Sequence, residues 1–274
     1  MKKLGKVSSE GLEYTLGEDE IYYMVSGVGR CTAANIVIPA MYEDLPVIHI
    51  ADFAFENRTA LKRIEIPDSV TGIGDEAFYG CTSLTSVKIG DFVTAVGIAA
   101  FGNCIALTSV EIGAFLTNIG AAAFGGCTSL SSIIVDKNNR VYQSIDGNVY
   151  SKNGKKLIQY AMGKTDSSFT FPSGVTAIGD RAFYTCERLT SIAIPSSVTT
   201  IGNEAFSTCR GLTSVTIGNG VLAIGSWAFS GCESLTSITF SGTVEQWNGI
   251  EKGDNWSEGV AATKVVCADG EVVL

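Results

Sequence analysis

The sequence has little positive charge, few prolines, a single histidine and no long apolar segment. Its 274 residues include 19 lysines and arginines against 28 acidic residues, which gives a net charge of -9. Nucleic acid and anionic membrane surfaces are therefore disfavoured as partners, because both are bound through a basic face. The sequence contains no run of about 18 apolar residues, so it predicts no membrane insertion.

The N-terminus lacks the features of a secretion signal. Residues 1–10 begin with lysines but are not followed by the apolar stretch that a signal peptide requires. This pattern predicts either a cytoplasmic protein or a mature or excised part of an exported one.

Patterns that carry catalytic or metal chemistry are also scarce. The one histidine, His49, stands in an apolar strand-like run without a nucleophile or acid motif around it, which favours a structural or surface role. Residues 136–139 begin like a calcium loop but lack the glycine and the closing glutamate of that motif. We therefore predict a protein that is not an enzyme and that uses neither a cofactor nor a metal.

The sequence is rich in copies of one repeat. Two sets of three cysteines recur every 23 residues, at Cys81, Cys104 and Cys127 and at Cys186, Cys209 and Cys232. The copies share the pattern I-G-x-x-A-F-x-x-C-x-x-L-T-S-V-x-I, and a degenerate first copy has Arg58 in the cysteine position. A fixed period of this kind indicates stacked coils.

Within one copy, residue alternation assigns side chains to the inside or the outside. Leu84, Val87 and Ile89 fit a short strand whose alternate residues point inward. A single coil cannot enclose its own apolar side chains, so neighbouring coils must cover them. The sequence predicts a leucine-rich-repeat solenoid of right-handed 23-residue coils, with a parallel β-sheet on the concave face and short strands and helical turns on the other sides.

Irregular segments divide the chain. Residues 1–46 are predicted as a capping hairpin and first strand, 47–240 as the solenoid, and 241–274 as a C-terminal cap. The extra residues between Cys127 and Cys186 are predicted to form one enlarged coil at 136–174, with a protruding hairpin around Asn153-Gly154. The solenoid is expected to continue through this insertion.

The eight cysteines are predicted to be buried free thiols. Stacked coils bring successive cysteines close together, but their Cα–Cβ vectors run parallel, which disfavours disulfides. A disulfide framework and a metal site are the alternatives, and the metal site is disfavoured because there is no C-x-x-C pair and only one histidine.

The repeat resembles the BspA-like, or Treponema-type, leucine-rich repeats of bacterial surface proteins. The resemblance extends from about residue 11 to residue 274 and includes the insertion S-I-D-G-N-V-Y at 144–150 and the terminal E-Q-W-N at 245–248. It implies a secreted or cell-surface protein that contacts host or neighbouring-cell proteins, and it supplies no catalytic residues. The missing secretion signal departs from this pattern and keeps a cytoplasmic location as the alternative.

Two regions supply candidate binding residues. The outward strand positions are charged in the N-terminal half and small or hydroxyl-bearing in the C-terminal half, and the charged candidates are Arg63, Glu65, Lys88 and Glu111. In the insertion, tyrosines beside lysines suit a contact patch, with Tyr150, Lys152 and Tyr160 as candidates. Packing of the two tyrosines against the base of the hairpin is the equal alternative.

We therefore predict a monomer that binds a protein partner through its concave face and its insertion hairpin. A structural array that spaces other modules is the alternative from another class of protein. A glycan-binding module is a further alternative, although the outward strand positions lack the aromatic platforms that it would use.

Overall fold

The computed structural model describes residues 9–274, and the chain forms two compact units, Met1–Gly147 and Asn148–Leu274. Each unit is a stack of coils in which equivalent strand residues recur every 23 residues. Each coil has two sides made of strands that pair in parallel with the next coil and a third side made of tight turns. The predicted solenoid is confirmed.

Unit 1 contains thirteen strands within its described residues. They are β1 (Glu13–Leu16), β2 (Tyr23–Gly27), β3 (Asn35–Val37), β4 (Met41–Tyr42), β5 (Leu45–Ile50), β6 (Arg63–Glu65), β7 (Gly72–Ile73), β8 (Ser86–Ile89), β9 (Ala95–Val96), β10 (Ser109–Ile112), β11 (Asn118–Ile119), β12 (Ser132–Val135) and β13 (Tyr142–Ile145).

Unit 2 contains twelve strands and one short helix. They are β14 (Asn148–Ser151), β15 (Lys156–Gln159), β16 (Ser168–Phe169), β17 (Ala177–Ile178), β18 (Ser191–Ile194), β19 (Thr200–Ile201), β20 (Ser214–Ile217), β21 (Ala223–Ile224), β22 (Ser237–Phe240), α1 (Val244–Asn248), β23 (Glu251–Lys252), β24 (Lys264–Cys267) and β25 (Gly270–Val273).

The first side of each coil carries the longer strands, which alternate between the interior and the solvent. In β8, Val87 and Ile89 are buried whereas Ser86 and Lys88 are exposed. β10 pairs in parallel with β8 and with β12, so equivalent residues of the three coils lie side by side. In unit 2 the same side runs without interruption from β16 through β18, β20 and β22 to β24, and β25 closes it as an antiparallel strand. We call the outward side of these strands the strand face of each unit.

The third side consists of consecutive tight turns in place of the helical turn expected around the Ala-Phe pair. The Phe78 N–H donates to the carbonyl of Ala100 in the next coil at 2.7 Å, and Phe206 bonds in the same way to Ala228. The buried phenylalanine rings stack across coils, with centroids 5.0 Å apart for Phe78–Phe101 and 4.8 Å apart for Phe183–Phe206. This stack forms the centre of the core in both units.

Two residues in most coils hold a left-handed backbone conformation. One precedes the Ala-Phe pair, as at Ala99 with φ 48°, and one precedes the cysteine, as at Gly80 with φ 69°. Most of these positions are not glycine, and the second is threonine at Thr185 and Thr208. The left-handed conformation costs an L-residue about 1–2 kcal/mol, so each coil pays for its tight corners with local strain.

The cysteines lie inside, next to this turn side, and all eight are free and buried, which confirms the prediction. Each thiol within a ladder also donates to a carbonyl of the preceding coil: Cys104 Sγ to Phe78 O at 3.2 Å and Cys209 Sγ to Phe183 O at 3.0 Å. Burial raises the pKa of the Cys81 thiol to about 12. These hydrogen bonds explain why a small side chain with a weak donor recurs at this position.

Side-chain ladders close the backbone at the corners. The Thr94 hydroxyl donates to Thr71 O at 3.1 Å, and Asp75 N–H donates to the Asp52 carboxylate at 2.7 Å. Unit 2 repeats both arrangements, with the Thr199 hydroxyl bonded to Thr176 O and Asn203 N–H bonded to the Asp180 carboxylate. Each such bond contributes about 1 kcal/mol and holds adjacent coils in register.

The predicted N-terminal hairpin is present, since β1 pairs antiparallel with β2, and β3 is the first strand of the strand face because it pairs with β6. A second hairpin, β4 with β5, was not predicted. At the other end, Trp247 of α1 is buried against Trp256 and Phe240, with a Thr243 capping box at the helix start. The domain division at residues 46 and 240 stays a prediction.

The hairpin of the insertion does not protrude. β14 pairs antiparallel with β15 around Asn153-Gly154, as predicted, but β15 also pairs in parallel with β17. The hairpin is therefore the first part of the unit 2 sheet that continues through β19 and β21 to β23. Its strands are mostly buried because one side of each covers the core.

Candidate functional site

The strand face of unit 1 carries the charged candidates. Arg63, Lys88 and Glu111 are exposed and Glu65 is half-buried, on β6, β8 and β10. Parallel pairing sets Glu111 directly beside Lys88. Arg63 and Glu65 form an ion pair at 3.4 Å. The alternation argument therefore assigned these four residues to the correct side of their strands.

The parallel sheet opens between β6 and β8. These strands belong to successive coils, yet β6 pairs with β3 while β8 belongs to a separate sheet with β10 and β12. The bond from Thr85 N–H to Lys62 O, 3.3 Å long, still joins the coils where the strands begin. β7 and β9 of the same coils pair normally. The separation is thus local to the strand face.

The opening forms a cleft of about 420 Å³, which we call the β6–β8 cleft. It is lined by Arg63, Ile64, Glu65, Ile66, Asp68, Ser86, Lys88 and Gly90. Three of the four charged candidates therefore lie around one depression, with Glu111 on the adjacent strand. Sequence periodicity predicted which side of the strands these residues occupy, but it did not predict the cleft.

Two observations measure the opening. A Cβ built on Gly113 would lie 2.5 Å from the carbonyl oxygen of Gly90, whereas a Cβ on Gly90 meets Asp68 Oδ1 at 3.8 Å. Ile66 occupies the same position as Ile89, which is fully buried, but Ile66 itself is half-exposed. The cleft therefore combines charged walls, apolar surface and strand edges whose backbone groups face each other without pairing.

The strand face of unit 2 differs in both chemistry and regularity. Its outward positions are Ser191 and Ala193 on β18 and Ser214 and Thr216 on β20, and these strands pair over four residues each. Small side chains on an unbroken sheet offer little to distinguish one partner from another.

The two tyrosine candidates of the insertion are buried, so the prediction that they form an exposed contact patch is wrong. Tyr150 has no exposed surface and Tyr160 is 3% exposed. Tyr160 lies 23 residues before Phe183 and takes the phenylalanine position, with its ring 4.9 Å from that of Phe183 and its N–H bonded to Ala182 O. The repeat register contained this signal. Lys152, in the turn between β14 and β15, is exposed.

Sequence analysis missed an aromatic pair beside the charged face. Phe92 and Phe115 are 53% and 56% exposed, and their ring centroids are 6.0 Å apart. They follow β8 and β10 at the position where other coils have Ser69, Ser197 or Gly220. Departure from the repeat at an outward position was the signal that could have identified them.

The remaining candidates have structural surroundings. The His49 ring lies on β5 against Tyr22, with centroids 5.8 Å apart. The 136–139 segment is a turn in which Asn139 is buried and donates to Gly113 O and Leu116 O at 2.9 and 3.0 Å. Residues 9–274 contain no group of three or more His, Cys, Asp or Glu side chains placed to hold a metal ion. In the same range, no helix has the length and apolarity that crossing a bilayer requires.

Solved structures share this architecture. A leucine-rich-repeat protein of T. pallidum aligns with a TM-score of 0.50 and 24% identity over 84% of this chain and 90% of its own. The pneumococcal vaccine antigen PcpA aligns with a TM-score of 0.59 and 16% identity over 96% of this chain and 87% of its own. At these identities both comparisons show the fold. No curated protein matches the sequence significantly.

These coils define a leucine-rich-repeat solenoid. The family described as "BspA type Leucine rich repeat region" matches residues 48–164 and 155–249 in 6 copies. These ranges cover most of the chain, and the chain therefore belongs to the BspA-type leucine-rich-repeat family, as the repeat pattern predicted.

Proposed function

We propose that this protein is a non-enzymatic binding module that recognises a protein partner through the strand face of unit 1. The observation that carries the proposal is the β6–β8 cleft, where the sheet opens and Arg63, Glu65 and Lys88 line one depression. Charged side chains around apolar surface and unpaired strand edges can discriminate between partners. The insertion hairpin, whose tyrosines are buried, has no part in the proposed surface.

We further propose that the protein acts at the cell surface or as a secreted protein, where it contacts a host or neighbouring-cell protein. Membership of the BspA-type family supports this location, because the resemblance of the repeat is to bacterial surface proteins. The acidic character of the chain, with its net charge of -9, supports a protein partner over nucleic acid.

The test is binding of the purified full chain to individually purified extracellular matrix proteins and to intact bacterial and host cells, measured by biolayer interferometry and by flow cytometry. We expect at least one target to bind. The double variant Arg63→Ala/Lys88→Ala should weaken that binding on the order of tenfold, since it removes both cations of the cleft.

The matched control is Ser214→Ala/Thr216→Ala, which changes the same two strand positions in unit 2. It should bind as the unchanged chain does. Equal loss in both variants would contradict the assignment to unit 1. Absence of binding to every target would favour a structural array that spaces other modules.

A further inference from the structure

The exposed aromatic pair lies at the open end of the β6–β8 cleft. Phe92 follows Gly90 and Asp91, and Gly90 lines the cleft together with Asp68. Phe115 N–H donates to Asp91 O at 3.2 Å, and the Asp91 carboxylate accepts from Ala114 N–H at 3.2 Å. We call Phe92, Phe115, Asp68 and Asp91 the aromatic corner.

The two phenylalanines do not serve the core. The residues behind them, Val93 and Leu116, fill the interior and are 0% and 1% exposed, whereas the two phenyl rings stay more than half exposed. Equivalent coils fold with serine or glycine at this position, so the fold does not require an aromatic side chain there. Adjacent exposed aromatic rings are typical of surfaces that bind a partner.

The charge around the pair selects the partner. Asp68 and Asp91 are exposed, and neither is in an ion pair with another described residue. On the neighbouring strands, the Arg63–Glu65 pair cancels and Lys88 lies beside Glu111. The two aspartates are thus the uncompensated charges, on a chain whose net charge is -9. This surface attracts a cation, and the face of a phenyl ring also attracts one.

We propose that the aromatic corner binds a basic polypeptide segment in which an arginine or lysine stands next to an apolar side chain. The cation contacts the aspartates and a phenyl ring, and the apolar side chain covers the remaining ring surface and the half-exposed Ile66 of the cleft. This inference rests on the proposed function and adds the chemistry of the partner.

The test uses a random peptide library displayed on phage and selected on the immobilised full chain. Selections are repeated on Phe92→Ser/Phe115→Ser, which installs the residue of equivalent coils, and on Leu222→Thr, which removes a 67% exposed leucine from unit 2. We expect a set of peptides that bind the unchanged chain and Leu222→Thr but not the double variant. These peptides should be enriched in arginine or lysine beside apolar residues.

A synthetic peptide from that set should lose on the order of tenfold in affinity on the double variant and should weaken as salt is raised. If the peptides that depend on the phenylalanines are acidic or uncharged, the proposal is wrong. Concentration-dependent dimerisation of the chain that is lost in the double variant would identify a second copy as the occupant and would also overturn it.

The outcome for the proposed function is read separately. Peptides that require Arg63 and Lys88 but bind the phenylalanine variant normally would retain the cleft as a binding site and reject the aromatic corner. Recovery of no peptide that depends on either set of residues would contradict both proposals.

Discussion

The two units enclose nearly the same interior and present different surfaces. Both stack phenylalanines about 5 Å apart, bond each ladder thiol to the preceding coil and close their corners with threonine and aspartate. Their strand faces diverge, because unit 1 has charged residues, an exposed phenylalanine pair and an opened sheet, whereas unit 2 has serine, alanine and threonine on an unbroken one. The interior sets the fold, and the outward positions are free to acquire a function.

The largest expected effect tests whether the interiors are equivalent. Phe101→Ala in unit 1 and Phe206→Ala in unit 2 each remove a fully buried ring from its stack. Each variant should lower the free energy of unfolding by about 3–5 kcal/mol, measured by urea denaturation followed by circular dichroism. A loss below about 1 kcal/mol in either variant would contradict the shared core.

The thiol ladders predict a loss of stability at alkaline pH. Burial raises the pKa of Cys81 from 9.0 to about 12, so the unfolded chain releases this proton before the folded chain does. The stabilisation is therefore complete below pH 9 and is lost as the pH rises towards 12. In this range, Cys81→Ala should remove roughly 1.4 kcal/mol per pH unit from the slope of the unfolding free energy.

The same ladder exists in unit 2, where burial also raises the pKa of Cys209 well above its usual value. Cys209→Ala should therefore reduce the alkaline slope as well. Unchanged slopes in both variants between pH 9 and pH 12 would show that these thiols are accessible to solvent in the folded protein.

The smallest effect concerns the left-handed position before the cysteine, which is Asn103 in unit 1 and Thr208 in unit 2, with φ 54° and 57°. Asparagine tolerates this conformation better than a β-branched residue does. Thr208→Asn should raise the unfolding free energy by about 0.5–1 kcal/mol and Asn103→Thr should lower it, which differential scanning calorimetry can measure. A decrease for Thr208→Asn would show that the Thr208 hydroxyl bond to Ser207 O outweighs the strain.

Most of the coil could be predicted from the sequence because stacking repeats one pattern of burial. Residues 23 positions apart must share a position, which assigned Val87, the cysteines and the outward Lys88 correctly. The same register would have placed Tyr160 in the phenylalanine stack, but the irregular insertion around it obscured the period. The second hairpin, β4 with β5, lies in a segment outside the repeat.

The candidate site was predictable only in part. Alternation identified Arg63, Glu65, Lys88 and Glu111 as outward residues, since the side of a strand is a local property. The cleft depends on whether two coils pair along their full length, and periodicity contains no information on that distance. The half-exposed Ile66 and the exposed Phe92 became visible only once burial was compared between equivalent coils.

The central claim is that the strand sheet opens between β6 and β8 while the equivalent strands of unit 2 stay paired. Hydrogen–deuterium exchange at single amides compares Lys88 with Thr216, which occupies the same strand position in unit 2. Without a partner strand in β6, the Lys88 amide should exchange on the order of tenfold faster than that of Thr216, after correction for sequence effects. Equal protection at the two amides would show that the sheet is closed and would contradict the cleft.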